Sequence, residues 1–222
     1  MPGEDKRSIA RILSRLTEVF ERAGIETPRL DAEVLLGFCL GKERADLYRD
    51  LTVELTDEQI ARVLELTGRR KRREPMAYIR GFREFWSLNF IVTPAVLVPR
   101  PETECLVEEI IGLRDSTRGS KPRILDIGAG SGAVCVAVAS EWPGCEMVAT
   151  ELSAAALEVA RANAVKLLGP NRKITFVQGD LYEGVEGVFD IVCSNPPYIS
   201  EAEYATLARE VTLYEPREAL VA

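Results

Sequence analysis

The sequence contains no histidine. That absence excludes Ser-His-Asp and Cys-His catalysis, the HExxH zinc motif and any imidazole base. Cysteine is scarce: Cys39, Cys105, Cys135, Cys145 and Cys193 are odd in number and contain no CxxC pair. They read as small buried hydrophobes in a reducing compartment, not as a disulfide framework or a metal site. No apolar run approaches the ~18 residues of a membrane span. The start, Met1 to Leu13, is charged and has no apolar signal core. We therefore expect a soluble cytoplasmic protein that does not engage a membrane. The remainder is ordinary for a globular chain: of 222 residues, 46% are hydrophobic and 28% charged, which is too apolar for a disordered one.

Positive charge is lacking in one half. Acidic residues number 35 and basic ones 28, a net charge of −7. Residues 1–75 hold 15 of each sign, so the whole excess lies in 76–222, with 13 basic and 20 acidic. A nucleic-acid binder carries a positive excess, because phosphate neutralisation dominates such affinity. The balance weighs against a nucleic-acid substrate. The one basic run, Arg69, Arg70, Lys71, Arg72 and Arg73, fits the last turn of a helix, where cations favour the negative end of the dipole. A handle for RNA phosphates is the alternative.

The first 75 residues have helical periodicity. Ile9, Ile12, Leu13, Leu16, Val19 and Phe20 recur with a 3.6-residue period. Leu30, Val34, Leu35 and Phe38 form a second stripe between Thr27-Pro28 and Gly41. A third helix opens at Thr56, with Gln59 completing a capping box, and continues through Ile60, Val63, Leu64 and Thr67. Core packing explains these stripes, so 1–75 is predicted to be a small helical bundle that docks substrate. Residues 76–100 turn aromatic and β-branched (Tyr78, Ile79, Phe82, Phe85, Trp86, Phe90, Ile91), with turns offered by Gly81 and Ser87-Leu88-Asn89. They predict a β-hairpin linker.

From Pro101 the chain runs into a helix and then alternates. Strands are predicted at Arg123–Ile127, Glu146–Glu151, Ile174–Val177 and Phe189–Ser194, with helices after the first and over Ala154 to Leu168. Alternation implies a parallel sheet with right-handed crossovers, an open α/β fold over 101–222. Ligands of such folds bind at the carboxyl ends of the strands.

Gly128-Ala129-Gly130-Ser131-Gly132 follows the first strand. Glycines there let a ligand lie against the main chain. Gly128-x-Gly130-x-x-Ala133 also satisfies the dinucleotide pattern, and Glu151, 23 residues after Gly128, suits a carboxylate gripping a ribose diol in either an NAD or an S-adenosylmethionine site. Asp126 tips the balance to S-adenosylmethionine. An acid two residues before the first glycine can face the methionine ammonium, whereas it would repel a pyrophosphate.

Asn195-Pro196-Pro197-Tyr198 follows the fourth strand. Asn195 and Pro196 both precede prolines and are restricted to extended conformations. The stiff segment can aim the Asn195 side-chain oxygen and the Pro196 carbonyl at one point. Two acceptors suit an NH2 group with its two donors, and alignment of this kind can supply ~7–11 kcal/mol of a barrier. Tyr198 offers a flat face to a planar group. The substrate should bear a planar NH2: an amide, adenine, cytosine or guanine.

This NPPY segment is similar to the hallmark of S-adenosylmethionine-dependent, Rossmann-like amino-group methyltransferases. The wider chain resembles one family, the peptide chain release factor glutamine methyltransferases (HemK/PrmC). The resemblance rests on the helical N-terminal region, Glu74 to Ile79, Glu84-Phe85-Trp86, Val98 to Glu104, DIGAGSG and NPPYI, and covers nearly the whole chain. It implies methylation of the side-chain amide nitrogen of glutamine in the GGQ motif of release factors. A relative that methylates glutamine in a large-subunit ribosomal protein shares NPPY but typically lacks the 99–104 stretch. The resemblance further implies that Gly128, Ala129, Gly130, Ser131 and Gly132 lie against the cofactor. Glu151, where the family more often has Asp, would bind the ribose. Asp180 and Leu181 would flank the adenine, Leu181 standing where relatives often carry an aromatic. Asn195 would border the cofactor as well as the substrate. Asn195, Pro196, Pro197 and Tyr198 would hold the amide, with in-line methyl transfer and proton loss afterwards.

Two other classes stay open: a nucleic-acid amino-methyltransferase, which NPPY permits, and a non-catalytic module that senses the cofactor. No metal is expected, and a monomer is. Tyr214 to Ala222 resembles an internal family segment. The resemblance therefore predicts a domain lacking its C-terminal strands, an exposed apolar edge at Ile191-Val192-Cys193, and little activity from this chain alone.

Overall fold

In the computed structural model, the residues described are 7–115, 121–170 and 174–222. The charged start, Met1 to Lys6, lies outside them. The chain divides into two compact units, Met1–Arg80 and Gly81–Ala222.

The first unit comprises α1 (Ile9–Arg22), α2 (Pro28–Leu40), α3 (Arg44–Arg49), α4 (Asp57–Lys71) and α5 (Met76–Arg80). Ser8 caps α1, and the Thr56–Gln59 box at α4 is formed in both directions. Leu13, Leu16, Phe20, Leu35, Leu36 and Leu66 meet in one core. Two of the expected stripe residues lie at the surface instead: Leu30 is 41% and Leu64 65% exposed. The buried surface of α2 is wider than a stripe, because α1, α3 and α4 all pack on it. It includes Asp31 and Glu33.

Asp31 and the later Glu74 explain part of the basic run. Arg70 Nε donates to Asp31 Oδ2 at 2.6 Å, and Arg69 pairs with Glu74. Two of the five cations thus hold the bundle together, in the last turn of α4. Burial pushes the Glu33 carboxyl up, but hydrogen bonds from Tyr48, Arg44 and Arg29 outweigh it and hold the group below its ordinary range. Tyr78 and Ile79 were expected in a strand but are helical, with Tyr78 and Ile79 N–H both donating to Pro75 O. Proline pre-sets the first helical turn, and burial of Ile79 in the bundle core overrides a β-propensity that reflects packing context. Residues 76–100 are therefore not one linker.

In the second unit β1 (Phe82–Phe85) and β2 (Leu88–Ile91) form an antiparallel hairpin. Its turn is Trp86-Ser87, one residue earlier than expected, and both residues have positive φ, +52° and +57°. That is the twist a two-residue hairpin needs. The Trp86 N–H donates to Glu104 and its indole N–H to Glu141, which holds an otherwise disfavoured backbone. α6 (Glu104–Gly112) precedes the sheet. β3 (Arg123–Ile127), α7 (Ala133–Glu141), β4 (Glu146–Glu151), α8 (Ala154–Leu168), β5 (Thr175–Gln178) and β6 (Ile191–Ser194) follow. α9 (Glu201–Tyr204) and α10 (Arg209–Tyr214) come last.

The strand order is β5-β4-β3-β6, all parallel. β3 is central, so the glycine loop leaves the middle of the sheet. α7 is buried from Ala133 to Ala139 and fills the core with Phe85, Phe90, Val107 and Ile124. β6 lies at one edge, with Val192 58% exposed. Beyond it Ile199 bridges to Val221. All five cysteines are free thiols; Cys135 and Cys193 are buried, but Cys105 is exposed. It lies on α6 away from Val107 and Ile110, the buried side. Among the described residues no helix is long and apolar enough to cross a membrane.

Asn163 on α8 ties three parts of the unit together. It is fully buried, accepts from Ile91 N at 2.7 Å, and donates to Ile91 O at 3.0 Å and Ser131 O at 2.9 Å. Asn163→Ala strands one buried backbone group, Ser131 O, and two partly buried ones, Ile91 N and O, and full burial costs ~1–3 kcal/mol per group. We predict a loss of about 3 kcal/mol or more in urea unfolding of the chain. A loss below about 1 kcal/mol would show that the amide is dispensable.

Candidate active site

The carboxyl ends of β3, β4 and β6 open on a cavity of ≈ 550 Å³. The glycine loop forms its floor. Gly128 N and Ala129 N both donate to Thr150 O at 2.9 Å, and Gly132 N donates to Ala129 O at 2.8 Å. Gly128 and Gly130 have φ of +77° and +54°, and a Cβ at either would meet no atom within 4 Å. Those glycines therefore serve backbone conformation and leave open space in front of the chain. Ala129 and Ser131 line the same cavity. Gly132 does not. A Cβ there would come within 3.2 Å of Ala160 Cβ, so it permits close packing of the loop on α8. It departs from the expected contact.

Asp126 lines the cavity yet is only 2% exposed. Its Oδ2 accepts from Cys135 N at 3.2 Å, and the Cys193 thiol lies 3.8 Å from Oδ1. Burial pushes its carboxyl up from 3.8 to about 6, with the nearby Glu151 charge adding to the rise, against lowering contacts from Cys135 and Cys193. No cation among the described residues forms a salt bridge with it. Glu151 stands at the end of β4. Its Oε2 accepts from Gly130 N at 2.8 Å and its Oε1 from Ser153 N at 2.9 Å. A carboxylate has about four acceptor positions, so both oxygens keep capacity for a diol. Asp180 and Leu181 line the far end. Leu181 has φ +49°, is 59% exposed, and accepts from Thr150 Oγ1 through its carbonyl at 2.6 Å.

Asn195, Pro196 and Pro197 line this cavity and also a second one of ≈ 590 Å³. Tyr198, 75% exposed, lines only the second. Pro197, Tyr198, Leu207, Val211 and Leu220 give that cavity an apolar side.

Several wall residues escape a reading of local motifs. Leu97, Arg100, Thr103 and Ala219 also border both cavities. Glu215, whose side chain is 2% exposed, accepts from Val98 N at 3.0 Å and from Arg100 Nη2 at 2.7 Å. The signal for Glu215 is a carboxylate beside a proline more than a hundred residues from its partners, which local pattern cannot pair. The local pattern of Pro99 to Thr103, two prolines about Arg100, carries no chemistry that would mark Thr103.

An open glycine loop, a buried acid, a carboxylate at the end of β4 and NPPY at a sheet end are the features of a methyltransferase-type α/β domain. The comparisons agree. Residues 103–221 match the Methyltransferase small domain, and residues 11–81 match the PrmC N-terminal domain. The release factor glutamine methyltransferase of Rhodopirellula baltica is 43% identical over 219 residues, 96% of this chain and 73% of that protein. That of Chlorobaculum tepidum is 40% identical over 230 residues, 100% of this chain and 78% of that protein. The Salmonella typhimurium protein of the same name is 41% identical over 198 residues, 89% of this chain and 69% of that protein. The chain belongs to the release factor glutamine methyltransferase family.

The Asp126 shift fixes a pH dependence. A folded-state value raised above the unfolded one favours the neutral acid. Its stabilising contribution is therefore present below about 3.8 and lost as pH rises through about 6. Asp126→Asn keeps the shape without the charge. It should raise the stability of the chain at pH 8 by about 2 kcal/mol, and the gain should vanish toward pH 4. Thermal melts of both proteins across this range provide the check; a gain that does not change with pH would contradict the assignment.

Proposed function

We propose that the chain methylates the side-chain amide nitrogen of glutamine in the GGQ motif of peptide chain release factors, with S-adenosylmethionine as methyl donor. The observation that carries this reading is the NPPY wall, bordered on one side by the glycine-loop cavity and on the other by a second, largely apolar cavity. Family membership supplies the substrate class.

The residues fit the cofactor. Gly128 and Gly130 leave room for it against the backbone. Asp126 is a buried acid suited to an ammonium, and Glu151 presents a carboxylate for a ribose diol. Bound there, S-adenosylmethionine supplies a sulfonium methyl as the electrophile. Asn195 Oδ1 and the Pro196 carbonyl each take one hydrogen of the substrate amide. That fixes the plane of the nitrogen and turns it toward the glycine-loop cavity. Pro196 and Pro197 lack the backbone freedom to swing these acceptors away, so little ordering remains when the substrate arrives. Tyr198 and Pro197 give an apolar face to the glutamine stem and its neighbours. The helical unit docks the release factor. No base would have to ionise the amide, in keeping with a site without histidine; on methyl transfer the sulfonium would leave as a neutral thioether, and the displaced N–H proton would pass to water. We further propose a cytoplasmic monomer that takes protein and not nucleic acid as substrate, as the acidic balance of 76–222 favours.

The test is incubation with labelled S-adenosylmethionine and a release factor, beside the same factor with its GGQ glutamine changed to alanine and beside naked RNA. Label should enter only the unaltered factor; label in RNA, or in the altered factor, would displace the reading. Asn195→Ala should lower turnover on the order of 10²–10³-fold, as loss of one oriented group in a polar site does, with little change in cofactor affinity. Glu151→Ala should weaken S-adenosylmethionine binding about tenfold or more in calorimetric titration and leave release-factor binding alone. Unchanged cofactor affinity would remove Glu151 from the site.

A further inference from the structure

The NPPY platform has an unresolved degree of freedom. The prolines stiffen the backbone around Asn195, but its terminal amide turns about an sp3–sp2 torsion that is broad and roughly two-fold. One orientation presents the oxygen to a substrate NH2. The other presents an NH2 to an NH2, donor against donor, and cannot hold the substrate. Backbone rigidity does not choose between them.

A neighbouring side chain bears on the choice. Asn195 Nδ2 donates to Thr103 Oγ1 at 3.4 Å. A hydroxyl can accept or donate; in this arrangement it accepts from the amino edge, which leaves the oxygen edge for a donor. Thr103 borders both cavities, as Asn195 does. Its own place is fixed from two sides. Upstream, Glu215 holds Val98 and Arg100, and Thr103 N donates to Arg100 O at 3.0 Å. Downstream, Glu104 accepts from Trp86 N in the hairpin turn at 2.8 Å. Pro99 and Pro101 stiffen the interval.

We propose that Thr103 is a positioning residue that holds the Asn195 amide with its oxygen edge toward the substrate NH2. The inference rests on the reading that Asn195 accepts a hydrogen from the substrate amide. Thr103 itself need not touch either reactant; it acts through Asn195. The 3.4 Å spacing is at the long end of the hydrogen-bond range.

The experiment is a double-mutant cycle in steady-state methyl transfer to a release factor, on the full chain, with melting temperature recorded for each variant. Thr103→Val keeps the volume and removes the hydroxyl. It should lower kcat about five- to tenfold, the effect of one neutral hydrogen bond, with KM for the release factor and affinity for S-adenosylmethionine nearly unchanged. Thr103→Ser keeps the hydroxyl and should retain most of the turnover. In an Asn195→Ala background Thr103→Val should cost nothing further, because its only route is gone. Wild-type kcat in Thr103→Val, or a full additional loss in the double variant, overturns the proposal while leaving the amide-pinning reading intact. Wild-type turnover in Asn195→Ala overturns both. Thr103→Ala serves beside Thr103→Val. If both lose activity only in step with a fall in melting temperature, Thr103 is structural and the proposal fails.

Discussion

The buried amide of Asn163 is the point on which the geometry of the second unit turns. Its oxygen and both its hydrogens are engaged, two of the bonds with Ile91 at the end of the hairpin and one with Ser131 in the glycine loop. A glycine loop that must leave open space in front of itself is held mainly from behind. Asn163 does this from α8, and Thr150 O does it from β4 through Gly128 and Ala129. From the cavity wall Glu151 adds a single bond, accepted from Gly130 N. Gly132 lets the loop lie close enough to α8 for this arrangement, since any Cβ would crowd Ala160. In low-dielectric surroundings such a fully satisfied network is strong, and a partly satisfied one is costly. The open cavity is therefore the visible consequence of a closed hydrogen-bond network on its far side.

Two buried acids show how surroundings divide labour between chemically similar groups. Both carry a desolvation penalty. At Glu33 it is outweighed by Tyr48, Arg44 and Arg29, and the group stays ionised as a structural anchor. At Asp126 the lowering contacts come from a backbone N–H and two thiols, and burial wins. An acid in a cavity wall with a raised value and no salt-bridge partner is poised to gain from an incoming cation, since the cation lowers the cost of ionising it. In the proposed cofactor site the methionine ammonium would be such a cation. The position of Asp126 on the central strand, paired with Ala149 and Cys193, is what keeps it dry.

Much of the α/β unit could be read directly. Arg123–Ile127, Glu146–Glu151 and Ala154–Leu168 begin and end where apolar runs meet glycine, acid and serine, and the structure has those bounds. Such segments carry their own punctuation. Tyr78 and Ile79 do not: their β-propensity yields to Pro75 and to burial in the bundle. Leu30 and Leu64 mislead because periodicity assumes one buried stripe, while α2 is packed from several directions and buries acids instead. The six-residue α3 is too short to show a period. The Trp86-Ser87 turn lacks glycine and is held by Glu104 and Glu141, partners 18 and 55 residues away in sequence. In the site, the glycine loop and NPPY are contiguous and legible. Thr103 and Glu215 act across 92 and more than a hundred residues, and single-sequence pattern holds no record of such pairings.

Stiffness at the wall between the two cavities comes from both of its sides. Pro196 and Pro197 restrict one strand of the wall, and Pro99 and Pro101 the other. Proline lowers the conformational freedom of the chain before anything binds. For a substrate held as proposed, the ordering cost of alignment would thus already be met in the folded protein. Proline cannot donate a backbone hydrogen bond, however, so a proline-rich wall is poorly tied to its neighbours. Side chains must supply the missing ties. Glu215 does so for the 98–100 segment, and Ser194 Oγ does so for the approach to Asn195 by donating to Ile127 O at 2.8 Å. The placement of carboxylates and hydroxyls beside these prolines follows from that deficit. It also explains why the residues that fix the site most firmly are ones that carry no chemistry of their own.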